Sequence, residues 1–182
     1  MWKPKEITRG LIEETVKDFN NLIGKKNNFW LTIIGFKPGV KTKITTPIWE
    51  MSMVKAAKKL GINIKRNVIN GVDFTIGNDN AEDKGSCTLG SSFTGNKHSS
   101  KVNKLIIRKM VLDDKGISKI FLGTLDINDL SDKSEKWSSD FNDNNGISTL
   151  KISKDDYSKI NVVYGSLKKN EKWLTYKCEE VN

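Results

Sequence analysis

Four side chains stand in an order that suits phosphodiester hydrolysis: Glu50, Asp73, Glu82 and Lys84. That reaction needs a divalent ion, a positioned water and charge relief on the leaving oxygen. Carboxylates from neighbouring elements can hold Mg²⁺ while it keeps several waters. Asp73, Glu82 and Glu50 are therefore the candidate metal ligands. A lysine on the same face can orient the attacking water and stabilise the charged phosphorus centre, which is the role open to Lys84. Glu82 and Lys84 are two residues apart, so on a strand they point to the same side. A bare acid-x-Lys pair says little, because the chain has two, Glu82-Asp83-Lys84 and Asp113-Asp114-Lys115. The second falls in a hairpin-turn sequence. The weight lies in the order: helix Glu, strand Asp, turn, Glu-x-Lys.

Elements must exist to position these groups. Thr46-Pro47 has the form of a helix start, with Thr46 as N-cap and Pro47 in the first turn. Trp49, Met53, Ala56, Ala57 and Leu60 then share one face, and Gly61 ends the helix. This stripe is core packing, with Glu50 beside it. The period changes to two at Ile62, and Val72 to Ile76 reads as a strand carrying Asp73. Gly77 to Asn80 is a turn. Gly85 and Ser86 follow Lys84, so both a strand and a turn reading of Glu82 to Lys84 remain open. Leu105 to Leu112 and Ile117 to Leu125 are strands joined by the hairpin signal Asp113-Asp114-Lys115-Gly116.

The outer parts of the chain are simpler. Residues 7–23 have helical spacing and end at Gly24. Phe29 to Ile34 and Val40 to Ile44 read as short strands. Residues 90–101 read as a polar loop rich in small donors, residues 126–145 as a second loop, and Ile147 to Ile152, Asn161 to Tyr164 and Trp173 to Tyr176 as late strands. The expected fold class is α/β (α+β), a central mixed sheet flanked by helices. One domain of 182 residues accommodates it. Residues 1–45 form an N-terminal region whose helix could serve a dimer, 46–125 the core and 126–182 C-terminal strands.

The stretch from Trp49-Glu50 through Leu60-Gly61 to Val72-Asp73-Phe74-Thr75 and Glu82-x-Lys84 resembles the core of the PD-(D/E)xK nucleases. It is similar to the EcoRV-type and PvuII-type restriction endonucleases. The resemblance covers residues 46–125 and is one of order and spacing. Val72 replaces the motif proline, and Asp83 stands where the family usually has an apolar residue. The resemblance implies a restriction-endonuclease-like core, a Mg²⁺-dependent type II site-specific deoxyribonuclease, and Asp73, Glu82, Lys84 and Glu50 as its catalytic set. It also implies that the polar segment with Ser91, Ser92, Asn96, Lys97, His98 and Lys101 contacts double-stranded DNA. A palindromic target further implies a two-fold homodimer. A structure-specific or repair nuclease on the same core, or a non-catalytic nucleic-acid-binding protein, is the alternative.

Composition agrees with a polyanionic partner. Lys plus Arg number 31 against 22 Asp plus Glu, a formal charge of +9, and such a surface attracts phosphates and releases their counterions. The two cysteines, Cys87 and Cys178, form no CxxC or Cys/His cluster, so zinc is not expected and free thiols are. No apolar run approaches the length of a membrane span and the N-terminus has no secretory pattern, so a cytoplasmic protein is expected.

Overall fold

The computed structural model describes residues 1–23, 28–67, 72–96, 102–137 and 147–181. Three helices come first: α1 (Arg9–Ile23), α2 (Asn28–Gly35) and α3 (Pro38–Lys59). The strands follow as β1 (Ile64–Arg66), β2 (Phe74–Ile76), β3 (Asp79–Ser86), β4 (Ser92–Asn96), β5 (Lys104–Asp113) and β6 (Gly116–Asp126). After them come β7 (Ile147–Lys151), β8 (Asn161–Tyr164), β9 (Ser166–Lys169), β10 (Leu174–Lys177) and β11 (Glu179–Glu180). Among the described residues, seven strands form one mixed sheet in the order β1-β2-β3-β5-β6-β11, with β8 also on β6. β3 and β5 run parallel and the other pairs are antiparallel. The expected class, a mixed sheet with helices, is the observed one.

Alternation along β5 decides what each face carries. Ile106 and Met110 point to the helical side, where they meet Trp49, Met53 and Ala57 of α3 and Leu11, Ile12 and Phe19 of α1. Leu105 and Ile107 point to the other side, against Phe93, Leu150, Ile152, Leu174 and Tyr176. Each fully buried side chain of this kind contributes about 1.5–3 kcal/mol. A register shift opposite Val111 and Leu112 inserts Ser118 into β6. This bulge returns Ile117 to the helical side. The apolar stripe of α1 is buried within the chain, so the face considered for dimerisation is occupied by α3 and the sheet.

Several expected elements differ. Phe29 to Ile34 belongs to helix α2, not a strand. Its tryptophan and β-branched residues mimic a strand, but Trp30 and Ile33 are the buried pair, three apart as on a helix face. The expected strand Val40 to Ile44 is the first part of α3, which begins at Pro38 rather than at Thr46. Pro38 sits at the first helical turn, where its missing N–H costs nothing, while Pro47 is carried inside the helix. The first half of the expected loop 90–101 is strand β4, paired with β7 from Ser92↔Lys151 to Asn96↔Ile147. Lys97, His98 and Lys101 lie outside the described residues. The expected loop 126–145 contains a short 3-10 turn at Ile127–Asp129. Among the described residues, no helix is long and apolar enough to cross a membrane.

Phe93 shows what strand β4 does. Its ring is 1% exposed, packs edge-on to Tyr176 at 5.1 Å and lies 4.2 Å beneath the Lys109 ammonium. Phe93→Ala should lower stability by about 3–5 kcal/mol in urea unfolding, the cost of emptying a buried aromatic site. A loop position would lose almost nothing.

Candidate active site

The strand reading of Glu82 to Lys84 is the one the fold adopts, since β3 spans Asp79–Ser86. Ala81 and Asp83 face the helical side, where Ala81 joins the core under α3. Glu82 and Lys84 therefore face the other way. Both are buried, at 4% and 8% exposure, and they form an ion pair. The Lys84 ammonium also stands 5.6 Å from the Trp137 ring. The demand that Glu82 and Lys84 share a side is met.

Asp73 immediately precedes β2. Its backbone N–H donates to the Ala81 carbonyl at 3.0 Å, so the ladder with β3 extends to it. Its carboxylate Oδ2 accepts the Asp83 N–H at 2.7 Å. A side chain thus takes a β3 donor at the point where β2 leaves the sheet. Glu50 projects from α3 and is 8% exposed. Its Oε2 accepts from Arg66 Nε at 2.9 Å, and Arg66 closes a salt bridge with the same oxygen.

Electrostatics tie these groups together. Burial pushes the Glu50 carboxyl above the usual range, and the Asp73 and Asp83 charges add to it against the pull of Arg66. Burial also pushes the Asp73 carboxyl up. The Asp83 charge adds to that, while the Asp83 N–H, Lys84 and Arg66 oppose it. Asp73 therefore borders the carboxylates of the helical side and the lysine of the opposite side. Among the described residues, no three His, Cys, Asp or Glu side chains gather closely enough to hold a metal ion. The three expected ligands do not converge as a set: Glu82 faces away from the α3 side, and Glu50 and Glu82 are each bound to a cation of the chain.

Of the expected DNA-reading residues, Ser91 precedes β4, Ser92 opens it and Asn96 ends it. The Ser92 carbonyl accepts from Lys109 at 2.7 Å. Three residues of consequence were not foreseen. Arg108 and Asp83 form an ion pair with no exposed side-chain surface, and Arg66 holds Glu50. Charged residues inside an otherwise apolar strand run, as at Arg108 and Lys109 within Leu105 to Leu112, were the available signal. The expected strand Trp173 to Tyr176 is β10, but its hairpin partner β9 was not expected. Its register places Ser166 opposite Lys177 and Lys168 opposite Thr175. Those four form one face of hydroxyl and ammonium donors, while Leu167, Leu174 and Tyr176 bury the other.

Comparison with protein-family models, with curated proteins and with solved structures finds no match to this chain.

The raised Asp73 carboxyl has a sign that can be tested. The folded protein keeps this proton to higher pH than the unfolded chain, so stability falls as pH rises from the ordinary Asp value through the raised one. Asp73→Asn keeps an acceptor for the Asp83 N–H and removes the charge. It should raise the midpoint of thermal unfolding at pH 7, with the gain vanishing below about pH 4, where an ordinary Asp is protonated. A lowered midpoint at pH 7 would show that the carboxylate is stabilising.

Proposed function

We propose that the chain is a Mg²⁺-dependent endodeoxyribonuclease that cuts double-stranded DNA at specific sites, in the manner of a type II restriction enzyme. The observation that carries the reading is the placement of Asp73. Its carboxylate is fixed against β3 by the Asp83 N–H, with Lys84 on one side and the buried Glu50 carboxyl on the other. The buried Glu50 and half-buried Asp73 carboxyls, both with raised proton affinity, are groups that a divalent cation would relieve, and Mg²⁺ needs only one or two protein carboxylates when water and phosphate complete its shell. Asp73 would hold the ion, with Glu50 or Glu82 as the second ligand. The bound ion would supply charge relief on the scissile phosphate and a more acidic water. Lys84 would donate to the attacking water or to a phosphoryl oxygen, after exchanging its bond to Glu82. Residues 46–125 would form the catalytic core of a single domain, and a palindromic target would be met by a two-fold dimer.

Support for a DNA partner comes from the net charge of +9 and from the donor face of β9–β10. Lysine, serine and threonine are phosphate-contacting residues, and the face formed by Ser166, Lys168, Thr175 and Lys177 contains no acid. One observation favours a second reading, a non-catalytic nucleic-acid-binding protein: Glu50 and Glu82 are each neutralised by a cation of the chain.

Incubation with supercoiled plasmid and Mg²⁺ should give discrete linear products. Asp73→Ala should abolish cutting and leave DNA binding in Ca²⁺ intact. Lys84→Ala should lower the rate by about 10²–10⁴-fold, as loss of a positioned proton-transfer group does. Plasmid left intact by the wild-type protein, with duplex DNA still bound, would select the non-catalytic reading.

Binding itself has a separate signature. The affinity for duplex DNA should fall steeply with salt, and Lys168→Gln with Lys177→Gln should reduce the slope of log K against log salt by about 1.8, or about 0.9 per lost phosphate contact. An unchanged slope would remove this face from the interface, and no binding at low salt would remove both readings.

A further inference from the structure

We propose that Asp83 and Arg108 are positioning residues that set the geometry of the candidate site; the catalytic consequence rests on the nuclease reading, and the structural one does not. The Arg108 guanidinium has no exposed surface. It donates to both Asp83 carboxylate oxygens, from Nε at 3.3 Å and from Nη2 at 2.6 Å. Its central carbon Cζ lies 4.8 Å from the centroid of the Trp49 ring. One side chain of β5 thus grips β3 and is roofed by α3. Its remaining Nη1 donates to Met110 Sδ at 3.0 Å, while the Trp49 and Asp83 contacts each sit next to a candidate residue: Trp49 precedes Glu50, and Asp83 stands between Glu82 and Lys84. Strand alternation does the rest. With the Asp83 side chain anchored toward the helices, Glu82 and Lys84 must face the opposite side.

The anchored residue also supplies the N–H that holds the Asp73 carboxylate. That N–H is not part of the ladder, so its direction depends on how β3 is rotated. Gly85 leaves the guanidinium room to sit against Asp83. A Cβ at Gly85 would lie 2.2 Å from Arg108 Nη2.

Net stability is a poor account of this arrangement. Removing two charges from water costs about as much as their attraction returns, and an apolar pair of similar volume often replaces a buried ion pair without loss. A bidentate guanidinium–carboxylate contact gives direction instead, because both groups are planar and meet in one orientation. Lysine keeps the charge but not the fork.

The test uses two variants of the full chain, Arg108→Lys and the apolar pair Asp83→Leu with Arg108→Met. The first readout is hydrogen exchange at the residue 83 amide. It should accelerate about ten-fold or more relative to other β3 amides while the variants still unfold cooperatively, because a local opening is being reported. The second readout is plasmid cleavage. The kcat should fall about a hundred-fold with KM nearly unchanged, the cost of misplacing reacting groups by about an ångström. Arg108→Lys should not rescue either readout; a role in charge balance alone would be rescued. If the lysine variant fails to fold, the apolar pair carries the measurement. Unchanged exchange at residue 83 in a folded variant overturns the proposal whatever cleavage does. Wild-type protein that cuts nothing, with exchange accelerated in the variants, overturns the nuclease reading and leaves the positioning role standing.

Discussion

A guanidinium with no exposed surface must be met by a carboxylate, and Asp83 meets Arg108 with two hydrogen bonds. The surrounding architecture is what makes that pair possible. β3 and β5 must run parallel in one register, so that Asp83 and Arg108 reach the same face. Gly85 must lack a side chain. α3 must lie across the sheet so that Trp49 covers the guanidinium. The removal of one partner would leave an uncompensated charge in the core, an outcome far worse than loss of the pair. The three elements are therefore coupled through a single contact.

That coupling divides the sheet into two unlike faces. On the helical side, carboxyl groups crowd: Glu50, Asp73 and Asp83 lie close enough for Asp73 and Asp83 to raise Glu50. Arg66 and Arg108 offset them. On the other side stand cations that the core tolerates at a cost. Burial pushes Lys109 down to about 8. Its ammonium keeps one carbonyl partner, Ser92, and two aromatic rings. Asp73 sits at the margin between these faces, which gives a single carboxylate access to both kinds of neighbour.

The parts of this arrangement that were legible in the sequence were those with a local signature. The β5–β6 hairpin announced itself by two alternating runs and the turn Asp113-Asp114-Lys115-Gly116. α1 announced itself by helical spacing. The ordering of Glu50, Asp73, Glu82 and Lys84 was visible because each sits in or beside an element with its own pattern. What was hidden depends on distant partners. α2 reads locally as a strand, and only the burial of Trp30 and Ile33 against α1 and the sheet makes it a helix. Pro47 argued for a helix start, since a proline inside a helix costs about 3 kcal/mol, yet packing of Trp49, Met53 and Ala56 carries α3 through it. β4 gave only small polar residues around Phe93. Its partner β7 lies far along the chain. The charge of Arg108 inside an apolar strand signalled a buried partner, but nothing local identified Asp83 as that partner, because 25 residues separate the two.

The same parallel pairing has a kinetic consequence. β5 and β6 are joined by a tight turn, so they can pair early from local contacts. β3 can join β5 only after the crossover through residues 87–103 has closed, and chain-entropy loss must precede any reward from such non-local contacts. Until then, Arg108 stands on a nascent hairpin with its charge in water. Docking of the β1–β3 meander dehydrates it in the same event that brings Asp83 alongside. The candidate site should thus assemble after the β5–β6 hairpin, in the same step as the docking of the meander.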